Sequence, residues 1–281
     1  MKKTTVYAPA KINFTLDVAG VENGFHKIQS FVATIDLCDK LIFKKRDDGK
    51  ITLKDKRNLC RCTTEKNNAY KTAKAIVERY GLSGVDITIN KKIPVGGGLG
   101  GSSVDIAGTI IGLKRLFEIK DDLTDMANEL GSDCGYLISG GFAVISGRGE
   151  KVHPVEISKK MPILIIADTH GISAKTCYDE FDKEKIKNKP CTERAVEAFV
   201  NDNAEFFDII KNDLYQAAVK FIPSLKEKIS DIEKQGALKA VMTGSGSCVY
   251  GIFENEKKRN KAFKKLRNKY GNRLIKAQTL I

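Results

Sequence analysis

The chain has 281 residues, 42% hydrophobic and 30% charged, which suits one large or two medium globular domains. No apolar run is long enough to span a bilayer and no signal-type apolar stretch follows Met1, so no membrane association and a cytoplasmic location are expected. The net charge of +13 attracts anions of every kind and on its own leaves nucleic acid, acidic lipid and phosphorylated small molecules open.

Short strands are expected at about 4–8, 13–18, 30–36, 41–44, 51–54 and 86–90, from their β-branched and aromatic content. A helix is expected over about 67–80, where Ala73, Ile76, Val77 and Tyr80 share a face and Gly81 ends it. A second runs from Ser103 to Phe117 with Ile106, Ile110 and Leu113 in one stripe, and a third covers about 122–130. A strand at 142–146 and the turn Gly147-Arg148-Gly149 follow. The apolar run Pro162–Ala167 reads as the opening strand of a second unit, helical from about 174 to 235 and closed by a strand at Cys248–Phe253. Two domains, 1–157 and 158–281, are expected.

Much of the positive charge sits in a last helix over 257–276. Phe263, Leu266 and Tyr270 recur there at helical spacing, which gives a surface helix with a basic, wet outer face; an RNA-binding stripe is the alternative. The seven cysteines, at 38, 60, 62, 134, 177, 191 and 248, are scattered as reduced thiols would be. Cys60 and Cys62 alone are too few for a metal site, and no metal ligand is assigned.

The chemistry concentrates in Pro94-Val95-Gly96-Gly97-Gly98-Leu99-Gly100-Gly101-Ser102-Ser103, between a strand and a helix. Glycines let the backbone approach a phosphate, and successive N–H groups with the helix N-terminus supply donors and positive potential. Ser102 or Ser103 can cap the helix or reach phosphate or Mg²⁺. The loop lacks the G-x-x-x-x-G-K-[ST] of a Walker A motif, and it fits a dinucleotide fingerprint poorly. Thr243-Gly244-Ser245-Gly246 is a second Gly-rich loop, either a phosphate lid or a simple strand-entry turn.

The first loop resembles the phosphate loop of the GHMP kinases, which include galactokinase, homoserine kinase, mevalonate kinase and phosphomevalonate kinase. The resemblance extends over nearly the whole chain to the branch that phosphorylates a cytidylyl-linked alcohol in the non-mevalonate isoprenoid pathway. It is carried by Pro9-Ala10-Lys11-Ile12-Asn13, Asn23-Gly24-Phe25-His26, Leu130-Gly131-Ser132-Asp133, Gly147-Arg148-Gly149-Glu150 and Asn212-Asp213-Leu214. It implies an α+β two-domain fold with a ribosomal-protein-like N-terminal domain and a ferredoxin-like C-terminal domain. It also implies ATP and Mg²⁺, a small-molecule cytidylyl substrate, no nucleic acid, and a monomer or homodimer. Another GHMP small-molecule kinase, or an RNA-binding protein with the same N-terminal fold, are the rivals.

By the same resemblance Asp133 takes the acceptor's proton and Lys11 stabilises the developing charge. Lys91 would cover the ATP phosphates, and Asn67 would contact the nucleotide or cap its helix. Asn13 would join the substrate site, where Phe25 and Tyr178 would flank the cytosine and His26 meet its edge. Four positions depart from the family pattern: Ser102 replaces a glycine, Val104 a serine, Gly135 a proline and Phe25 a tyrosine, which keeps a stacking face and loses a hydroxyl.

Overall fold

Alternating burial along a single very long strand sets the architecture. The computed structural model describes residues 2–59, 62–168, 170–184 and 189–281. It opens with strands β1 (Lys3–Asn13), β2 (Asp17–Glu22), β3 (Phe25–Lys45) and β4 (Ile51–Asp55). Helix α1 (Asn68–Tyr80), β5 (Val85–Asn90) and helices α2 (Gly101–Phe117), α3 (Thr124–Leu130) and α4 (Cys134–Ser139) follow. Then come β6 (Phe142–Gly147), β7 (Lys151–Pro154) and β8 (Pro162–Ile166). Five helices succeed them: α5 (Ala174–Glu184), α6 (Thr192–Val200), α7 (Phe206–Ile209), α8 (Tyr215–Phe221) and α9 (Ser224–Lys234). The last elements are β9 (Lys239–Met242), β10 (Val249–Ile252), α10 (Glu256–Tyr270) and β11 (Leu274–Gln278).

The compact units interleave in sequence and do not part at one position. One takes the chain up to Ala10, Leu37–Val95 and Gly100–Ser139; the other takes Lys11–Asp36, Gly96–Leu99 and Gly140–Ile281. Strand β3 contributes to both, where two separate strands were expected. The polar Cys38-Asp39-Lys40 looks like a break, yet Asp39 lies on the same alternating face as Leu41 and Phe43, and all three are fully buried.

In the first unit β4 pairs parallel with β5, and β5 pairs antiparallel with β3, Leu41 opposite Ile89 and Phe43 opposite Ile87. Helix α1 is capped by Asn67, whose side chain accepts from the Ala69 N–H, and ends at Gly81 in the left-handed conformation. Helix α2 is buried on most sides and depends on small residues: a Cβ on Gly112 would stand 2.2 Å from the Phe43 ring.

In the second unit the first half of β3 pairs antiparallel with β2 and with β6, and β7 adds to β6. Phe14, Phe31, Phe142, Phe199 and Phe206 form one aromatic cluster, with Phe14 5.2 Å from Phe31 and 5.6 Å from Phe206. A second sheet has the order β11-β8-β10-β9 with antiparallel neighbours. Threaded as strand, helices, two strands, helix, strand, this is the ferredoxin-like arrangement expected from the sequence.

The basic helix is α10, shorter than its sequence pattern suggested, with Leu266 and Tyr270 buried and the Tyr270 hydroxyl 2.6 Å from Asp231. Its one tyrosine is therefore turned inward and offers no face for base stacking. Cys134, Cys177, Cys191 and Cys248 are buried free thiols, Cys38 is half-buried and Cys62 exposed; Cys60 lies outside the described residues. Among the described residues no helix is long and apolar enough to cross a membrane.

Candidate active site

The second unit brings the two Gly-rich loops into direct contact. The Thr243 hydroxyl lies 3.4 Å from the Gly98 carbonyl, and the Cys248 N–H donates to the Gly97 carbonyl at 3.1 Å. Glycine is required on both sides: a Cβ on Gly98 would fall 2.0 Å from the Thr243 carbonyl oxygen, and one on Gly244 2.7 Å from the Gly98 carbonyl oxygen. Both residues also adopt positive φ, 77° and 56°. Gly96 approaches Gly171 as closely, since a Cβ on Gly171 would stand 2.7 Å from the Gly96 carbonyl oxygen.

Asn13 is the hub of this assembly. Its Oδ1 accepts from the Lys11 ammonium at 2.8 Å, the Gly244 N–H at 3.0 Å and the Thr243 hydroxyl at 3.2 Å. Its Nδ2 donates to Ser30 Oγ at 2.8 Å, and its own N–H donates to Thr243 Oγ1 at 3.1 Å. The backbone of Lys11 is fixed too, its N–H donating to the Leu99 carbonyl at 3.1 Å. The second loop is braced from behind by Asn212, whose Nδ2 donates to the carbonyls of Met242 and Gly244 at 2.9 and 2.8 Å. Tyr250 donates its hydroxyl to the Asn13 carbonyl at 2.8 Å, and burial holds that phenol well above its ordinary pKa. Lys11, Asn13, Gly97–Leu99 and the Thr243–Gly246 loop thus share one hydrogen-bonded cluster.

The first unit holds the other half of the Gly-rich stretch. Helix α2 starts at Gly101, two residues earlier than expected, with Gly100 at the cap in the left-handed conformation. Ser102 and Ser103 accordingly lie in the first turn and do not cap it. The first N–H used inside the helix is that of Val104, which donates to the Gly100 carbonyl at 2.9 Å. The N–H groups of Gly101, Ser102 and Ser103 therefore have no partner within the helix, which is what an anion site requires. Ser102 Oγ accepts from Asn68 Nδ2. Ser103 Oγ lies against the turn that carries Asp133, since a Cβ on Gly131 would stand 3.4 Å from it. Asp133 is half-buried at the start of α4, its carbonyl accepting the Leu137 N–H at 3.0 Å. The neighbouring Cys134 thiol, pushed up to about 12 by burial, is no nucleophile at neutral pH.

Two departures from the family pattern acquire physical reasons. Val104 is 1% exposed, so the core takes the side chain there. Gly135 makes room for Asn128, whose Oδ1 would lie 2.4 Å from a Cβ at that position; a proline ring would collide with it.

Two expected nucleotide contacts take other partners. Asn67 is 4% exposed and caps α1, the second of its two expected roles. Lys91 is 2% exposed, its ammonium 2.5 Å from Asp39 and 2.9 Å from Asp105. Burial pushes that ammonium toward neutrality, but the charges of Asp105 and Asp39 outweigh it and hold the pKa above the ordinary lysine value. Asp39, a residue sequence reading passed over, was marked only by its place in the alternation with Leu41 and Phe43.

In the second unit the His26 and Tyr178 rings stack at 4.4 Å and 19°, and His26 Nε2 lies 2.8 Å from Asp182 one turn along α5. Phe25 is 55% exposed and carries the Arg148 guanidinium 5.0 Å from its ring, beside a cavity of about 350 Å³ lined also by Lys27, Glu150 and Lys151. Phe25 and Tyr178 were expected to face one another across a base; here His26 occupies the face of Tyr178, and Phe25 opens on the cavity.

The glycines of Gly96–Leu99 in the second unit, and the first-turn N–H groups of α2 in the first, are each suited to an anion such as a phosphate. Among the described residues no group of three His, Cys, Asp or Glu side chains is arranged to hold a metal.

Comparison with known proteins agrees with this geometry. The model of the GHMP kinases N terminal domain matches residues 67–148, and that of the GHMP kinases C terminal domain matches 194–272. The chain is 35% identical to a 4-diphosphocytidyl-2-C-methyl-D-erythritol kinase of Clostridium botulinum, over 94% of this chain and 96% of that one. It is 33% identical to a protein of the same name from Bacillus pumilus, over 92% and 91% of the two chains. A crystal structure of 4-(cytidine 5'-diphospho)-2C-methyl-D-erythritol kinase superposes with a TM-score of 0.85 at 27% identity, over 98% of this chain and 99% of that one. A mevalonate kinase of L. major shares the fold, with a TM-score of 0.76 at 13% identity over 99% and 97% of the chains. The chain belongs to the GHMP kinases, in the branch of the 4-diphosphocytidyl-2-C-methyl-D-erythritol kinases.

Proposed function

We propose that the protein transfers the γ-phosphoryl group of ATP to the 2-hydroxyl of 4-diphosphocytidyl-2-C-methyl-D-erythritol, as a cytoplasmic enzyme of the non-mevalonate isoprenoid pathway. The observation that carries this reading is the cluster in which Asn13 ties the Lys11 ammonium to Gly244 and Thr243, with Gly98 packed against both. Phosphoryl transfer asks the protein mainly for positioning and charge stabilisation, and this cluster supplies both.

Asp133 accepts the proton of the acceptor hydroxyl as that oxygen attacks. The Lys11 ammonium, oriented by Asn13, stabilises the negative charge that develops. The backbone of Gly96–Ser103 holds the phosphates of ATP, which brings the phosphoryl group and its Mg²⁺. Phe25, His26 and Tyr178 select a cytidylyl group, for which a planar aromatic surface and an imidazole edge are suited.

The test is a panel of acceptors with ATP and Mg²⁺. The cytidylyl substrate should be turned over with the highest kcat/KM, and CMP should compete with it and not with ATP. Faster turnover of mevalonate or homoserine would keep the kinase and discard this substrate. Absence of any ATP-dependent phosphorylation would discard both.

A further inference from the structure

The buried ammonium of Lys91 has more to explain than an ion pair. Asp39 Oδ1 accepts two backbone N–H groups, those of Lys92 at 2.5 Å and Ile93 at 2.9 Å, where the Gly-rich stretch begins. Its other oxygen lies 2.5 Å from the Lys91 ammonium. That ammonium reaches the far end of the same stretch as well, 2.9 Å from Asp105 Oδ2 and 3.3 Å from the Gly101 carbonyl. The Lys91 carbonyl in turn accepts from the Arg57 guanidinium at 3.1 Å. Asp39 is 0% exposed, Lys91 2% and Asp105 5%. Strand β3, the end of β5 and the second turn of α2 thus converge on one charged point.

A cluster of this composition is costly to maintain. Two carboxylates share one ammonium, and Asp105 Oδ1 has no hydrogen-bond partner although it is buried. Burial pushes the Asp105 carboxyl up to about 6, against the pull of Lys91. Apolar side chains of similar size would hold strand to helix at least as well. What they would not do is hold backbone groups on both sides of the Gly-rich stretch, the N–H groups of Lys92 and Ile93 and the carbonyl of Gly101, at one place.

We propose that Asp39, Lys91 and Asp105 form a clasp that fixes the two ends of the Gly-rich stretch for nucleotide binding, with Lys91 a positioning residue and not a phosphate ligand. The proposal rests on the reading of that stretch as the ATP site. It separates from the phosphate-ligand role through the carboxylates. If Lys91 touched phosphate, removing a carboxylate would free its ammonium for the nucleotide. In a clasp, removing either carboxylate releases one end of the loop.

The experiment measures KM for ATP, KM for the acceptor, kcat and thermal unfolding in Lys91→Met, Asp39→Asn, Asp105→Asn and the uncharged triple Lys91→Met with Asp39→Asn and Asp105→Leu. The triple leaves no charge at the clasp and keeps the test open should a single change leave a buried charge and fail to fold. Each folded variant should raise the KM for ATP by about 10–100-fold, the scale of a misplaced binding group, with acceptor KM and kcat at saturating ATP within about threefold. Lys91→Met combined with Asp105→Asn should cost no more than the poorer single variant. Unchanged or tighter ATP binding in Asp105→Asn would overturn the clasp, as would a fall in thermal stability with all kinetic constants intact. Gly101→Val separates the two levels of the argument. If it too leaves ATP binding unchanged, the ATP-site reading fails; if it alone weakens ATP, the clasp fails and the site stands.

Discussion

Asn13→Ala tests the hub of the proposed active site most directly. The side chain is 2% exposed and makes four hydrogen bonds, accepting from Lys11, Gly244 and Thr243 and donating to Ser30. Each neutral bond is worth about 1 kcal/mol net and the one to the ammonium about 2, and truncation strands the Gly244 N–H where little water reaches. Because these groups share partners their losses do not add, and a total near 3 kcal/mol is expected. For a chain of this size that is a fall in Tm of about 5–10 °C. The kinetic effect is separate. Asn13 is one of the groups that aim the Lys11 ammonium, and without it kcat should fall by about 10–100-fold at saturating ATP. Asn13→Asp is the control: it keeps an acceptor for Lys11 and Gly244, and Ser30, which now donates to the Thr15 carbonyl, can donate to the new oxygen instead. It should therefore recover most of the stability. Differential scanning calorimetry and steady-state kinetics give both quantities. A Tm within about 1 °C of the parent, against the fall of about 5–10 °C expected, together with an unchanged kcat would refute the role given to Asn13.

Asp133→Asn should lower kcat by about 10²–10⁴-fold while ATP binding, measured by titration calorimetry, stays intact; a loss below tenfold would remove Asp133 as the proton acceptor. Tyr178→Ala should weaken acceptor binding by about 1–3 kcal/mol in KM or direct titration, whereas Phe25→Tyr, which keeps the ring, should be nearly silent. Gly98→Ala places a Cβ 2.0 Å from the Thr243 carbonyl oxygen, so the two Gly-rich loops must move apart. Weakened ATP binding in a folded protein is expected there, and parental affinity would show that the loop contact is dispensable.

The parts of the fold that were legible in the sequence are those whose signals are local. Helix α1 announces itself by Ala73, Ile76 and Val77 on one face and Gly81 at its end, and the structure buries those three residues and puts Gly81 in the left-handed conformation. The Gly-rich stretch is legible because a phosphate cradle needs glycine for a reason that any neighbour in space would also impose. What escaped depends on partners distant in sequence. Strand β3 was read as two because a polar interlude looks like a break, and the Lys91 ammonium with the Lys92 and Ile93 N–H groups makes Asp39 tolerable inside a sheet. The start of α2 was placed at Ser103 because serine is a good cap, yet glycine at position 100 lets the backbone turn left-handed and begin the helix earlier.

The same limit governs the site residues, and it has a chemical origin. A group that binds a phosphate and a group that holds the binder in place are drawn from the same short list: lysine, asparagine, serine and backbone amide. Motif spacing brings Lys91 and Asn67 to the neighbourhood of the Gly-rich stretch, but it cannot say which way their polar atoms face. The partners that each side chain meets bear on that choice. Lys11 and Lys91 are alike in residue type and nearly alike in exposure, 5% and 2%. Lys91 faces two carboxylates and the Gly101 carbonyl at the ends of the Gly-rich stretch, whereas the Lys11 ammonium donates to Asn13, the residue that also takes the Gly244 N–H of the second loop. That difference in what each ammonium holds, and not motif position, is why we propose Lys11 for the chemistry and Lys91 for the support of the loop.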